Sequence, residues 1–457
     1  MEKQMLKKVL VLLFCLCCAW PCLGEETQWQ PIPEELRFSY VIGERETLGY
    51  KTYLRKSYPE TKKPEVNREI LALVDELASR PELLPGKCQE QGYLEVNCRI
   101  SRSGQSMMSF LVLASRAEDL RQTGAAFENR VYDMKTGERV LLSRLFDDDS
   151  EAWACLAEAV KQQLTAYYPN MDADEAALAQ LCEKESLQSA AFSLTPVQLE
   201  LHFASETLYP GTCTLMHVRV PYRTLRPYMN DYALAQTDNN GYQLAALTYD
   251  DGPVRNTSHR VMDQLMAHGA NATFFVVGTR LKGHREILCR EQDSGFQVAS
   301  HNWEHVYNQR DGDVLLGWKE RFDQTMSDIC GAVPTMMRAP GGIYGPYQTA
   351  KVDLPLIQWS LISGDASDDK RVNNAAAIAG NVRSGTDAGS IVLMHDLNHA
   401  SAQYSKDILD RLEERNILCV TVEELLIHYG IEAQGGQVYF GFEECPVPAI
   451  GEGSNAT

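Results

Sequence analysis

Beyond its first 24 residues the 457-residue chain has no Cys-x-x-Cys pair, which excludes a zinc cluster built from cysteines there. Basic residues are also short. Lys and Arg number 43 against 62 Asp and Glu, a formal charge of −19, so nucleic acid is not an expected partner. Beyond the first residues no apolar run is long enough to cross a membrane. An even cysteine set is missing too: of 13, Cys15, Cys17, Cys18 and Cys22 crowd the start and an odd number remains. Cys88 and Cys98, around "QEQGYLEVN", fit either a hairpin staple or two isolated thiols.

What the sequence does have begins with Met1 to Gly24. Lys3, Lys7 and Lys8 precede the apolar stretch Val9 to Trp20 and then "PCLG", as in an export segment cleaved before Glu25. An uncleaved N-terminal membrane anchor is the alternative, and both place the protein outside the cytoplasm. The length suggests about two to three domains.

From residue 25 to 235 helical and strand patterns mix as in an α+β domain. "VNREILALVDELASR" carries an apolar helical stripe at Ile70, Leu71, Val74 and Leu77. "SMMSFLVLAS", "FENRVYDMKTGERVLL", "VQLELHF" and "TLMHVRVPY" read as strands, and "EAWACLAEAVKQQLTAYY" as a helix. No chemical constellation is visible in this region. "AQTDNNGYQ", residues 235 to 243, is a natural joint.

From 243 to 430 apolar strands alternate with amphipathic helices: "LAALTY", "ATFFVV", "FQVAS", "PTMMR", "PLIQWSL", "SIVLMH" and "LCVTV" are the strands. That order means a parallel sheet, and its length predicts a closed or nearly closed (β/α) barrel. Residues 431–457 read as a loosely docked tail.

Polar clusters follow the strands of this second region. Asp250 and Asp251 close "LAALTY"; His301 and His305 follow "FQVAS"; Arg338, Asp365 and His395 follow later strands. The carboxyl ends of parallel strands share one rim, so these clusters are expected to converge. Adjacent carboxylates disfavour each other's ionisation unless something positive holds them. His301 and His305, four apart, would share one face of a helical turn and, with one Asp, grip a divalent cation while leaving positions open. Either Asp could be the ligand and its neighbour the base. His399 repeats the spacing with His395 and reads as a loop residue. Ser300 and Trp303 read as packing, and His259, His268 and His284 as helix residues away from the rim.

"TYDDGP", "SHNWEH", "RAPGG", "WSLISGDA" and "VLMHD", in that order, resemble the motifs of the polysaccharide deacetylase family, the NodB-homology domain, whose fold is a distorted (β/α) barrel. The resemblance implies Asp250 as catalytic base, with Asp251, His301 and His305 as ligands of a divalent metal, zinc by default and cobalt or manganese as alternatives. It implies that Arg338 orients Asp250, that His395 is the general acid supported by Asp365, and that the backbone amide of Tyr344 borders the oxyanion. Ile362 and Ala366 stand where the family usually has Asp and Trp, which puts the setting of Arg338 and one groove wall in question. The N-terminal region more loosely resembles the DUF3298/RsiV-like domain of bacterial peptidoglycan deacetylases. The implied activity is removal of N-acetyl groups from cell-wall amino sugars (peptidoglycan GlcNAc or MurNAc), with release of acetate at the cell surface. A carbohydrate O-acetyl esterase or a non-catalytic wall-binding protein are the alternatives; an iron oxygenase triad fits the alternating helices poorly.

Overall fold

In the computed structural model, residues 29–441 are described, apart from 149, 240, 346–349, 370 and 398. The expected targeting segment with its cysteines, and the tail beyond residue 441, lie outside them. No helix among the described residues is long and apolar enough to cross a membrane.

The first region is built on β1 (Phe38–Ile42), β2 (Glu46–Gly49), β3 (Thr52–Thr61), β4 (Gly92–Ser103), β5 (Met107–Glu118), β6 (Arg121–Asp133) and β7 (Glu138–Arg139). They pair in the order β1-β3-β4-β5-β6-β7, with β2 beside β3. Helix α1 (Pro64–Ser79) opens with a proline, which suits a first turn whose N–H has no helical partner. Its buried stripe is Val66, Ile70, Leu73, Val74 and Leu77; the inward place expected for Leu71 belongs to Leu73, and Leu71 is exposed. Spacing of three and four keeps that stripe on one face, and each fully buried Leu or Val contributes about 1.5–3 kcal/mol.

A second sheet, β8 (Ala191–Leu194), β9 (Gln198–Ala204) and β10 (Leu215–Pro221), is antiparallel in the order β10-β9-β8. Helix α2 (Ala152–Leu164) packs its Trp153, Leu156, Val160 and Leu164 into the same core as Met216 and Val218 of β10. Cys88 and Cys98 are both free thiols, so the staple is not formed. Cys98 lies in the core beneath α1 with Leu94 and Val96, whereas the Cys88 sulfur sits by the Gly86 carbonyl in the turn before β4.

The second region runs β11 (Gln243–Asp250), α3 (Arg255–Ala267), β12 (Thr273–Val276), α4 (Arg285–Asp293), β13 (Gln297–Ser300), α5 (Gly312–Cys330), β14 (Leu356–Ile357), β15 (Leu361–Ile362), α6 (Ala375–Gly385), β16 (Ile391–His395), α7 (His399–Glu414), β17 (Ile417–Val420), α8 (Val422–His428) and β18 (Val438–Tyr439). All its pairings are parallel: β13-β12-β11-β16-β15, with β17 on β11 and β18 on β14. Strands β12 and β13 are buried along their length because helices cover the outer face.

Of the closed or nearly closed barrel expected, the ladders form no closed version. "PLIQWSL" splits at Trp359, its first half bonding to Met337 and β18 and its second half to β16. "PTMMR" contributes only single bridges from Met337 to Ser300 and Leu356, since Pro334 and the turn around it prevent a longer ladder. The tail is also better anchored than expected, because Tyr439 is buried in the core and pairs with Ile357.

The two regions meet along α3, where Arg55 of β3 bonds to Asp263, and at the amino ends of the parallel strands, opposite the rim. Gly269, just before β12, sits so close to Phe38 that a Cβ would lie 3.2 Å from its ring; one at Gly295, before β13, would lie 2.3 Å from the Arg99 guanidinium. Both glycines have positive φ, 58° and 76°, so any other residue would be strained as well as crowded.

Candidate active site

Asp250 ends β11 beside His395, which ends β16; the two are register partners in a parallel pair, so their side chains leave the sheet on the same face. Thr248, two residues earlier on that face, completes the local set. The Arg338 guanidinium is fully buried and donates to Asp250 Oδ1 at 2.7 Å, Thr248 Oγ1 at 2.7 Å, the Ile357 carbonyl at 3.1 Å and the Gln358 carbonyl at 3.0 Å. It also lies 4.1 Å from the ring centre of Phe275. With this many partners its setting does not depend on residue 362, where Ile362 is 56% exposed. The doubt raised by the missing acid is removed by two backbone carbonyls and a threonine.

The next residue, Asp251, has φ 75°, and Asn302, after His301, has φ 63°. Left-handed backbone at non-glycine residues costs about 1–3 kcal/mol, and here it coincides with the site. His301 and His305 do not share a helical turn as expected, because residues 301–311 form a loop of bends. They still come together, with ring centres 5.2 Å apart. Their Nε2 atoms lie 3.3 and 3.0 Å from the same oxygen, Asp251 Oδ1.

Which protons are present decides what this arrangement can hold. His301 Nδ1 is 2.8 Å from the Arg338 carbonyl, which can only accept, so Nδ1 carries the hydrogen and Nε2 presents a lone pair. That lone pair faces the buried Asp251 Oδ1 at 3.3 Å. In this tautomer acceptor meets acceptor, a contact that a bound cation or a second proton on the ring relieves. Burial works against ionisation of Asp251, yet its contacts with His301 and His305 outweigh it and hold the carboxyl far below the usual range. The bond to Asp251 likewise raises the His305 imidazole above its usual value. One carboxylate and two imidazoles, with ligand atoms within 4.8 Å of one another, can hold a divalent metal and leave coordination positions open.

Across the rim, His395 is fixed twice by Asp365: its backbone N–H donates to Oδ2 at 2.7 Å and its Nδ1 to Oδ1 at 2.8 Å. Nε2 is thereby left to face the site. Burial alone would lower this imidazole, but the Asp365 bond and charge outweigh it and raise it to about 9. The Tyr344 hydroxyl donates to the Ile357 carbonyl at 2.8 Å, the same oxygen that Arg338 engages.

Two residues that sequence reasoning passed over hold the loop after Asp251. Val254 N–H donates to Ser258 Oγ at 2.8 Å, and Ser258 in turn donates to Asp396. Asp396 is packed under Gly252, where a Cβ would lie 2.6 Å from its oxygens. Strand alternation could have singled out Thr248; nothing in the sequence pointed to Ser258. Trp303 is packed against Gly278 as expected, and the side chain of His399 lies outside the described residues.

Fold and site together define a class: a parallel α/β sheet with an open Asp–His–His cluster able to hold a metal, between a buried Asp–Arg pair and an Asp-supported histidine. Residues 237–353 match the family described as polysaccharide deacetylase, and residues 118–243 that described as peptidoglycan GlcNAc deacetylase N-terminal domain, within the region likened above to DUF3298. The chain is 36% identical over 205 residues to peptidoglycan-N-acetylglucosamine deacetylase PgdA of Listeria monocytogenes, covering 43% of this chain and 41% of that protein. It is 29% identical over 196 residues to peptidoglycan-N-acetylmuramic acid deacetylase PdaC of Bacillus subtilis, covering 42% and 40%. To a peptidoglycan-N-acetylglucosamine deacetylase of Bacillus cereus it is 30% identical over 199 residues, covering 41% of this chain and 72% of that protein. The chain thus spans about two fifths of the length of the first two relatives. It belongs to the polysaccharide deacetylase family.

Proposed function

We propose that the protein is a metal-dependent N-deacetylase of peptidoglycan amino sugars that releases acetate at the bacterial cell surface. The observation that carries this reading is the placement of Asp250 and His395 as register partners beside the Asp251, His301 and His305 cluster, each backed by its own buried support. A divalent metal held by those three residues, zinc by default with cobalt or manganese as alternatives, would polarise the acetamide carbonyl and lower the pKa of water toward ~7.

The chain's own groups supply the rest. Asp250, held in place by Arg338, accepts a proton as water attacks. The Tyr344 backbone N–H borders the developing oxyanion. His395 gives its Nε2 proton to the departing sugar amine, which would otherwise leave as a very poor amide anion, while Asp365 stabilises the imidazolium. Relatives named for both N-acetylglucosamine and N-acetylmuramic acid leave either sugar open. In this reading residues 243–430 form the catalytic unit, a distorted barrel, residues 25–235 act as a wall-binding or spacing module, and residues 1–24 direct export.

The test is acetate release from peptidoglycan and from an N-acetylglucosamine oligomer, with and without chelator. Metal-dependent release that falls by about 10²–10⁴-fold in Asp250→Asn is expected. No release from either substrate by folded, metal-loaded protein would sink the amide reading.

A further inference from the structure

A cavity of about 340 Å³ lies where β3 and β4 of the first region face α3 of the second. Its floor is a closed ion network. Arg55 donates to Asp263 at 2.6 and 3.0 Å and lies 3.0 Å from Glu95, while Arg290 reaches Asp263 at 2.5 Å. Two cations and two anions cancel there, all of them buried.

The walls and mouth are not balanced. Arg45 lies over the Tyr53 ring, 4.4 Å from its centre, with no carboxylate partner among the described residues. Arg260 is exposed and likewise has no ion-pair partner among them. Arg255 has only Glu286, at 3.9 Å. Glu286 is itself 3% exposed, and its Oε2 has no hydrogen-bond donor although it lines the cavity. Burial pushes this carboxyl up to about 7, so it offsets less than one of the guanidiniums. In a chain whose formal charge is −19, three arginines with so little opposite charge make a local positive field.

The position adds to the chemistry. Arg255 and Asn256 form the first turn of α3, which has no side-chain cap, and Arg255 follows Asp251 by four residues. Lining residues 255, 256, 259, 260 and 263 follow one helical face down from the rim, with β3 and β4 opposite.

We propose that this cleft is a subsite for an anionic group, a carboxylate or a phosphate, borne by the wall polymer whose amino sugar occupies the rim. The proposal rests on the peptidoglycan reading. Arg45 and Arg260 form its mouth, Arg255 and the start of α3 its inner wall, and the Glu286 carboxyl supplies a hydrogen-bonding group for the ligand. Stem-peptide carboxylates and polyol phosphates share this chemistry.

Calorimetric binding to the full chain at low and high salt separates them. The probes are a disaccharide-tetrapeptide, the same fragment with its carboxylates amidated, an oligo(glycerol phosphate) and glycerol. At least one anionic probe is expected to bind about 10-fold more tightly than its uncharged counterpart. That preference should shrink as salt rises, since exposed charges are screened beyond about 8 Å at physiological ionic strength, and should vanish in Arg45→Gln/Arg260→Gln. Equal binding of charged and uncharged probes, or a preference that survives in the double variant, overturns the proposal. Acetate release from a neutral N-acetylglucosamine oligomer, expected to be unchanged in that variant, tests the deacetylase reading separately. Release without anion preference sinks only the subsite, and anion preference without release sinks only the deacetylase.

Discussion

Two clusters in this molecule each bring one carboxylate and two imidazoles within 4.8 Å, and they are built for opposite purposes. In the first region, His217 Nε2 lies 3.1 Å from the carbonyls of Gln292 and Asp293, so it must donate. Its Nδ1 then accepts from His202 Nδ1 at 3.0 Å, and His202 Nε2 accepts from Ser193 Oγ at 2.9 Å. Glu200 is occupied by Arg99 at 2.6 Å and Arg219 at 3.1 Å. Every polar atom has a partner, and two guanidiniums would repel a cation. At the rim, by contrast, the Nε2 atoms of His301 and His305 converge on one Asp251 oxygen, which has no arginine partner among the described residues. Residue type and proximity are alike in both places; the other partners of each group tell a saturated hydrogen-bonded joint from a cluster that could hold a metal.

The contrast can be broken most severely at the rim. His301→Ala removes one ligand and is expected to lower acetate release by about 10³-fold or more and to abolish stoichiometric metal, read by elemental analysis. Asp365→Asn should cost about 10²-fold in rate and change the pH profile. His395 is raised from its ordinary value to about 9, so its imidazolium contact is intact below about 6.5 and is lost as pH rises through about 9. Release should therefore fall above about pH 9 in the parent and at lower pH in the variant. A fall at the same pH in both would remove His395 from the role of acid.

In the closed cluster, His202→Ala leaves His217 Nδ1 buried without a donor. It should cost about 1–3 kcal/mol of unfolding free energy while metal content and activity per folded molecule stay the same. Smallest of all is Ile362→Asp at the rim, expected to change the rate by less than about 3-fold, because Arg338 is already saturated. A large gain would show that the missing carboxylate matters after all.

The sequence made the rim legible because strand ends in a parallel sheet converge whatever the intervening chain does. Asp250, Asp251, His301, His305, Arg338, Asp365 and His395 could be assembled from that rule alone. Strands β14 and β15 read as one because "PLIQWSL" is mostly apolar and unbroken by glycine, and period carries no sign of a bend at Trp359. Cys88 and Cys98 are close in sequence, but their fate depended on which face of β4 meets α1, a tertiary fact. The His202 and His217 cluster was invisible for a similar reason. Its residues alternate within strands that read as ordinary core, and their partners Gln292 and Asp293 lie in the other region.

The most direct test is metal stoichiometry measured on the purified parent, His301→Ala and His202→Ala after loading with zinc and removal of excess. About one metal per chain in the parent and in His202→Ala, and none in His301→Ala, is the expected pattern. Metal retained in His301→Ala but lost in His202→Ala would contradict the assignment of the rim as the metal centre.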